Sequence, residues 1–131
     1  MTPFDANDAA ERKALIAGAL AAHRERGSPH ITIEADTPPP GSEHPAWVQY
    51  RLEDGLLNAD YTDEELERLP EIVESYPEFT IAAREQPEFA DGTNVHINGY
   101  TDDDRLAAFI EALFCEVYGY ESTYRLWVTE I

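Results

Sequence analysis

Hydrophobic and polar positions along this chain repeat with two periods, and the switches between them mark the elements. Leu15, Ile16, Ala19, Leu20 and His23 recur at helical spacing. Asp8 with Glu11 fits a capping box ahead of them, and Gly27 then Pro29 give the expected stop. His30 to Asp36 alternates and is rich in β-branched residues, which predicts a half-buried strand. Thr37 to Pro45 holds four of the nine prolines and reads as a surface loop. Ala46 to Glu53 and Leu56 to Tyr61 read as two strands joined at the turn signal Asp54-Gly55. Thr62 with Glu65 makes a second capping box, before a helix with the stripe Leu66, Leu69, Ile72, Val73 and Tyr76. Pro70 lies inside that helix and is expected to kink or divide it. Glu78 to Arg84 and Asn94 to Tyr100 form an antiparallel pair around a loop through Pro87, Asp91 and Gly92. Thr101 with Asp104 is expected to cap a third helix, striped by Leu106, Phe109, Ile110, Leu113, Phe114 and Val117 and ended by Gly119. Tyr124 to Ile131 is the last strand.

The resulting order is αβββαββαβ. It predicts one α+β domain over residues 1–131: an antiparallel-dominant sheet of about six strands with three helices on one face. From residue 56 the order βαββαβ resembles the ferredoxin-like split βαβ unit. The first eight elements, αβββαββα, resemble instead the type III secretion chaperones. That second resemblance implies a dimer that shields a segment of another protein. Both rest on element order over most of the chain, and no motif accompanies either. The segments Tyr61-Thr62-Asp63-Glu64-Glu65 and Tyr100-Thr101-Asp102-Asp103-Asp104 each close a strand and open a helix, a weak internal repeat.

Strand alternation also sorts the two faces of the sheet. One set of positions is nearly all apolar and should meet the helices: Ile31, Ile33, Val48, Tyr50, Leu52, Leu57, Ala59, Phe79, Ile81, Ala83, Val95, Ile97, Leu126 and Val128. The opposite set is polar, yet it holds both tryptophans. On it the candidate binding residues are Trp47, Arg51, Arg84, His96, Asn98, Tyr100, Arg125 and Trp127. Arg and Trp are enriched at binding hot spots. The plainer reading is a solvated face whose arginines pair across strands with Glu34 and Asp60. Gly99, beside Tyr100, marks a bulge or a close approach at a strand end.

Charge narrows the setting. Asp and Glu number 27 against 9 basic residues, a formal net charge of -18, and Lys13 is the single lysine. Sequence-independent binding to nucleic acid or an anionic membrane needs positive charge, so neither is expected as a partner. The acids are spread along the chain rather than gathered in a tail. This dispersed acidity with almost no lysine resembles the small acidic cytoplasmic proteins of salt-accumulating haloarchaea. The resemblance is to a class whose activity is not defined, and it implies a cytoplasmic home where molar salt screens self-repulsion over about 3 Å. No apolar run approaches the ~18–20 residues of a membrane span, and no secretory h-region is visible.

Candidate chemistry is sparse. One cysteine, Cys115, excludes an internal disulfide, and the flanking Glu111 and Glu116 should raise its thiol pKa. His23, His30, His44 and His96 fall in no metal-ligand spacing, although His30 and His96 could meet across strands. Asp102-Asp103-Asp104 is read as complementing a helix dipole. No Asp or Glu sits inside an apolar run, so no acid/base pair is assigned. No Gly-rich phosphate loop or nucleophile elbow is present, and neither cofactor nor metal is expected. Two expectations remain. The first is a non-enzymatic module that binds itself or another protein through the face carrying Trp47 and Trp127. The second is a small-ligand protein or enzyme on the same face, with Arg84 and Arg125 holding an anion and His96 moving a proton.

Overall fold

A computed structural model describes residues 5–6, 8–27, 29–39, 43–86, 92–99 and 101–130. The elements are β1 (Asp5–Ala6), α1 (Ala9–Arg26), β2 (His30–Ala35), β3 (Trp47–Arg51), β4 (Leu56–Tyr61), α2 (Asp63–Ser75), β5 (Phe79–Glu85), β6 (Thr93–Gly99), α3 (Asp103–Ala112) and β7 (Leu126–Glu130). A π-helical turn, Leu113–Val117, extends α3. Apart from the two-residue β1, this is the predicted order αβββαββαβ, an α+β fold.

Every strand pairing is antiparallel, in the order β1-β7-β2-β3-β4-β6-β5. The ferredoxin-like element order from β4 onward is present, but its strands are not contiguous. The β2–β3 hairpin lies between β7 and β4. It fits there because two added antiparallel strands leave β7 running opposite to β4. The element order of the secretion-chaperone resemblance is likewise present, and β7, which lies beyond it, pairs on β2.

The helices cover one face over a single core. Ile31, Ile33, Val48, Tyr50, Leu57, Val95, Ile97 and Leu126 rise from the sheet to meet Ile16, Leu20, Leu69, Phe109 and Phe114. Gly99 sits at its predicted close approach. A Cβ there would lie 2.0 Å from Cδ1 of Phe79, whose ring stacks on Phe109 with centroids 3.8 Å apart.

Three local expectations need correction. Of the kink or division expected at Pro70, the division is absent: α2 runs unbroken from Asp63 to Ser75. Pro70 is exposed, so the hydrogen bond it cannot donate is lost on the wet side of the helix. The cap of α3 is Asp102, one residue later than expected, accepting from the Arg105 N–H at 2.8 Å. Asp is the stronger cap of the two neighbours. The capping box of Thr62 and Glu65 is complete, and Asp8 caps α1 as predicted.

The third correction concerns parity in β5. Ile81 pairs with Ile97, but Ala83 pairs with His96, because a β-bulge intervenes. The extra residue flips everything after it. Ala83, expected inside, stands on the open face. Arg84, expected on the open face, pairs with Val95 on the helix side and remains exposed at the sheet edge.

Candidate functional site

The open face is built in rows that the antiparallel registers define. Trp127 and Trp47 both pair with Glu34, one from each side, so β2 carries an acid flanked by the two tryptophans. The next row runs Thr32, Gln49, Asn58, His96 and Ala83. The third runs His30, Arg51, Leu56, Asn98 and Thr80. No helix covers these rows, because all three pack on the other side. Trp127 is 38% exposed and is the one large hydrophobic residue left that open among the described residues.

The candidate residues are therefore only partly gathered. Trp47, Trp127, His96, Asn98 and Arg51 share the face. Arg51 lies at the far end from the tryptophans, with Nη1 3.1 Å from Asp54. Two strands, β3 and β4, stand between His30 and His96, so these histidines do not meet. Arg125 is exposed just before β7, where its carbonyl accepts from the Asp36 N–H at 3.0 Å. Arg84 has left the face through the bulge, which removes the expected Arg84–Arg125 anion clamp. Tyr100 lies outside the described residues.

With histidine neutral, as in the chain's net charge of -18, these rows keep an acid excess: on β2 to β7 Glu34, Asp60 and Glu85 face outward against Arg51, beside His30 and His96. The excess is denser on the helix side. Helix α2 carries Asp63, Glu64, Glu65, Glu67, Glu71 and Glu74 against Arg68.

At the Trp47 end, the face runs into a cavity of about 320 Å³ that alternation alone could not reveal. Pro39, His44 and Pro45 from the long loop form one wall. Asp60, Tyr61, Thr62 and Glu65 come from the β4–α2 junction, and Tyr118 closes the floor beyond the π-helical turn. The loop is pinned by Tyr120, whose hydroxyl donates to the Thr37 carbonyl (2.6 Å) and accepts from the Ala46 N–H (3.1 Å). Burial above all pushes the Tyr120 hydroxyl up to about 12. The π-helical turn places Tyr118 so that its ring stacks on Tyr61, centroids 5.1 Å apart, and its hydroxyl donates to the Asp60 carbonyl at 2.9 Å. Arg68 holds the turn through two hydrogen bonds to the Val117 carbonyl (2.9 and 2.7 Å).

Two polar groups in this cavity are out of water. Glu65 is 4% exposed, and burial raises its carboxyl above the ordinary range against the opposing pull of its Thr62 hydrogen bonds. Tyr61 is 2% exposed, and its hydroxyl has no hydrogen-bond partner among the described residues. Burial holds that hydroxyl well above its usual pKa.

A second polar cluster lies under the helices, where sequence reading placed no carboxylate. Arg12 is 0% exposed and grips Glu111 with Nε and Nη2, at 2.9 and 2.7 Å. Its Nη1 donates to the Ser122 and Tyr124 carbonyls, each at 2.9 Å. The Tyr124 hydroxyl donates to Glu111 at 2.7 Å, and the guanidinium lies 4.0 Å over the Tyr124 ring. Burial alone would lower the Arg12 pKa, but the hydrogen bond and charge of Glu111 outweigh it and leave it raised. Cys115 donates to Glu111 at 3.5 Å, and burial first, then that carboxylate, pushes its thiol up to about 11. The expected direction holds, and the thiol is no nucleophile at neutral pH. The spacing Arg12, Ile16, Leu20, His23 was the available signal, since it puts Arg12 on the buried stripe of α1.

Among the described residues, no three His, Cys, Asp or Glu side chains are gathered to hold a metal, and no helix is long and apolar enough to cross a membrane. Such an α+β sheet with one bare face defines an architecture, not a reaction. The chain belongs to DUF7975, a family of unknown function, whose model matches residues 1–131. No curated protein and no solved structure matches it.

Proposed function

We propose that this protein is a non-catalytic module that associates with a second copy of itself through the open face of its sheet. The observation that carries this reading is Trp127, 38% exposed on a face that no helix covers, with Trp47 across Glu34 from it. Tryptophan is enriched at binding hot spots, and the rows beside this pair carry amides and hydroxyls that can bond across an interface. A two-fold axis between the two sheets, running across the strands, lays Glu34 over His30 and Trp47 over Arg51 of the second copy.

The area available sets the strength. Six long strands about 4.8 Å apart, each with about five paired residues of about 3.4 Å, span about 500 Å². Two such faces bury about 1,000 Å², the threshold for a specific interface. The expected state is a concentration-dependent monomer–dimer equilibrium rather than an obligate dimer. The composition supports a cytoplasm rich in salt as the setting, where multimolar KCl screens the remaining repulsion.

Sedimentation velocity across a concentration series in multimolar KCl tests the reading. Wild-type protein should associate, and Trp127→Ala should shift the equilibrium toward monomer with an unchanged circular dichroism spectrum. A wild type that stays monomeric throughout, or a folded Trp127→Ala that associates equally well, overturns it.

A further inference from the structure

We propose that the cavity at the Trp47 end of the sheet is a binding site for a small organic ammonium ion. The site shares Trp47 and Asp60 with the open face but does not require that face to self-associate. Its volume, about 320 Å³, falls in the range of small-ligand pockets. Its lining combines three aromatic rings, Trp47, Tyr61 and Tyr118, with two carboxylates, Asp60 and Glu65. Among the described residues no Arg or Lys lines it, and His44 is the single basic side chain in its wall.

Each of these choices selects against an anion and for a cation. The faces of Trp and Tyr rings attract ammonium groups, most strongly where water is excluded. Glu65 is kept almost wholly out of water and forms no ion pair among the described residues: the Thr62 N–H donates to its Oε1 at 2.8 Å, and nearby Arg68 gives its guanidinium to the Val117 carbonyl. The helix terminus beside it gives no anion site, because Thr62 and Glu65 cap it reciprocally. The buried Tyr61 hydroxyl makes no well-formed hydrogen bond among the described residues, the neighbouring Tyr118 hydroxyl being given to the Asp60 carbonyl, which points to a ligand with a polar group as well as a charge. An uncharged apolar ligand would leave the Glu65 charge without a counter-charge and offer the Tyr61 hydroxyl no bond.

The test is a fluorescence titration of a Trp127→Phe variant, in which Trp47 is the remaining tryptophan. Choline is the probe, and its uncharged isostere 3,3-dimethylbutan-1-ol is the control. Choline should change Trp47 emission saturably, and the isostere should bind at least about tenfold more weakly. Glu65→Gln should weaken choline at least about fivefold. Because that change also touches the α2 cap, the isostere comparison, made on an intact cavity, decides independently. Equal binding of choline and isostere would overturn the cation assignment. So would the absence of saturation at high choline in a protein with a native circular dichroism spectrum. A lysine-bearing tetrapeptide that binds over tenfold tighter than choline would overturn the assignment to a free small molecule.

Discussion

Replacing Glu111 by Gln should be among the most damaging isosteric changes in the protein. The shape is retained, but Arg12 keeps its charge at 0% exposure without a counter-charge. Removing one partner of a buried ion pair costs about 3–5 kcal/mol. Here the guanidinium keeps the Ser122 and Tyr124 carbonyls, so the lower end, about 3 kcal/mol, is expected. Unfolding entropy of about 2.1 cal/mol/K per residue gives about 0.28 kcal/mol/K for 131 residues, hence a fall in Tm of about 11 °C. Arg12→Met should cost a similar amount, because it leaves the carboxylate and the two carbonyls unpartnered. The double variant should cost clearly less than the sum, since neither charge is then stranded. Thermal unfolding by circular dichroism, repeated at low and high KCl, measures all three. The loss should persist at high salt, because a buried pair is poorly screened. A fall below about 4 °C for Glu111→Gln, or strict additivity in the double variant, would refute the reasoning.

Two further outcomes follow from packing and titration. Gly99→Ala places a methyl group 2.0 Å from the Phe79 ring, which is itself stacked on Phe109, so overpacking should cost about 1–3 kcal/mol in urea unfolding; an unchanged midpoint would show that the ring yields freely. The Cys115 thiol, pushed up to about 11 by burial and by Glu111, should react slowly with a disulfide reagent at pH 8, and faster as pH rises toward that value or when Glu111 becomes Gln; a rate at pH 8 equal to that of the urea-unfolded chain would contradict it.

The parts legible in the sequence are those written in one continuous segment. Period-two alternation in β2, β3, β4 and β6 assigned their faces, since a single slip would have exposed every Ile and Val they bury. The bulge in β5 escaped because Ala82 and Ala83 suit either face, so alternation carries no information where parity changes. Arg84 was misplaced for that reason. The Arg12–Glu111 pair escaped because each charge reads as solvated in its own helix, and only the α1–α3 packing brings them together across 99 residues. The cavity draws its walls from the proline-rich loop, the β4–α2 junction and the end of the π-helical turn. No local pattern records such a meeting; Trp47 was singled out as part of the face, and its second role as a cavity wall was not visible.

The bulge in β5 matters beyond the placement of one arginine. It distorts the outermost strand at one border of the sheet and follows the distortion with Arg84 and Glu85. The opposite border is capped by a strand of two residues. Bulges, charges and very short terminal strands all discourage a neighbour from adding its backbone to a ladder. Lateral growth into a continuous sheet, the route to fibrils, is thereby impeded at both ends. The face-to-face association proposed above, by contrast, is an arrangement that closes after two.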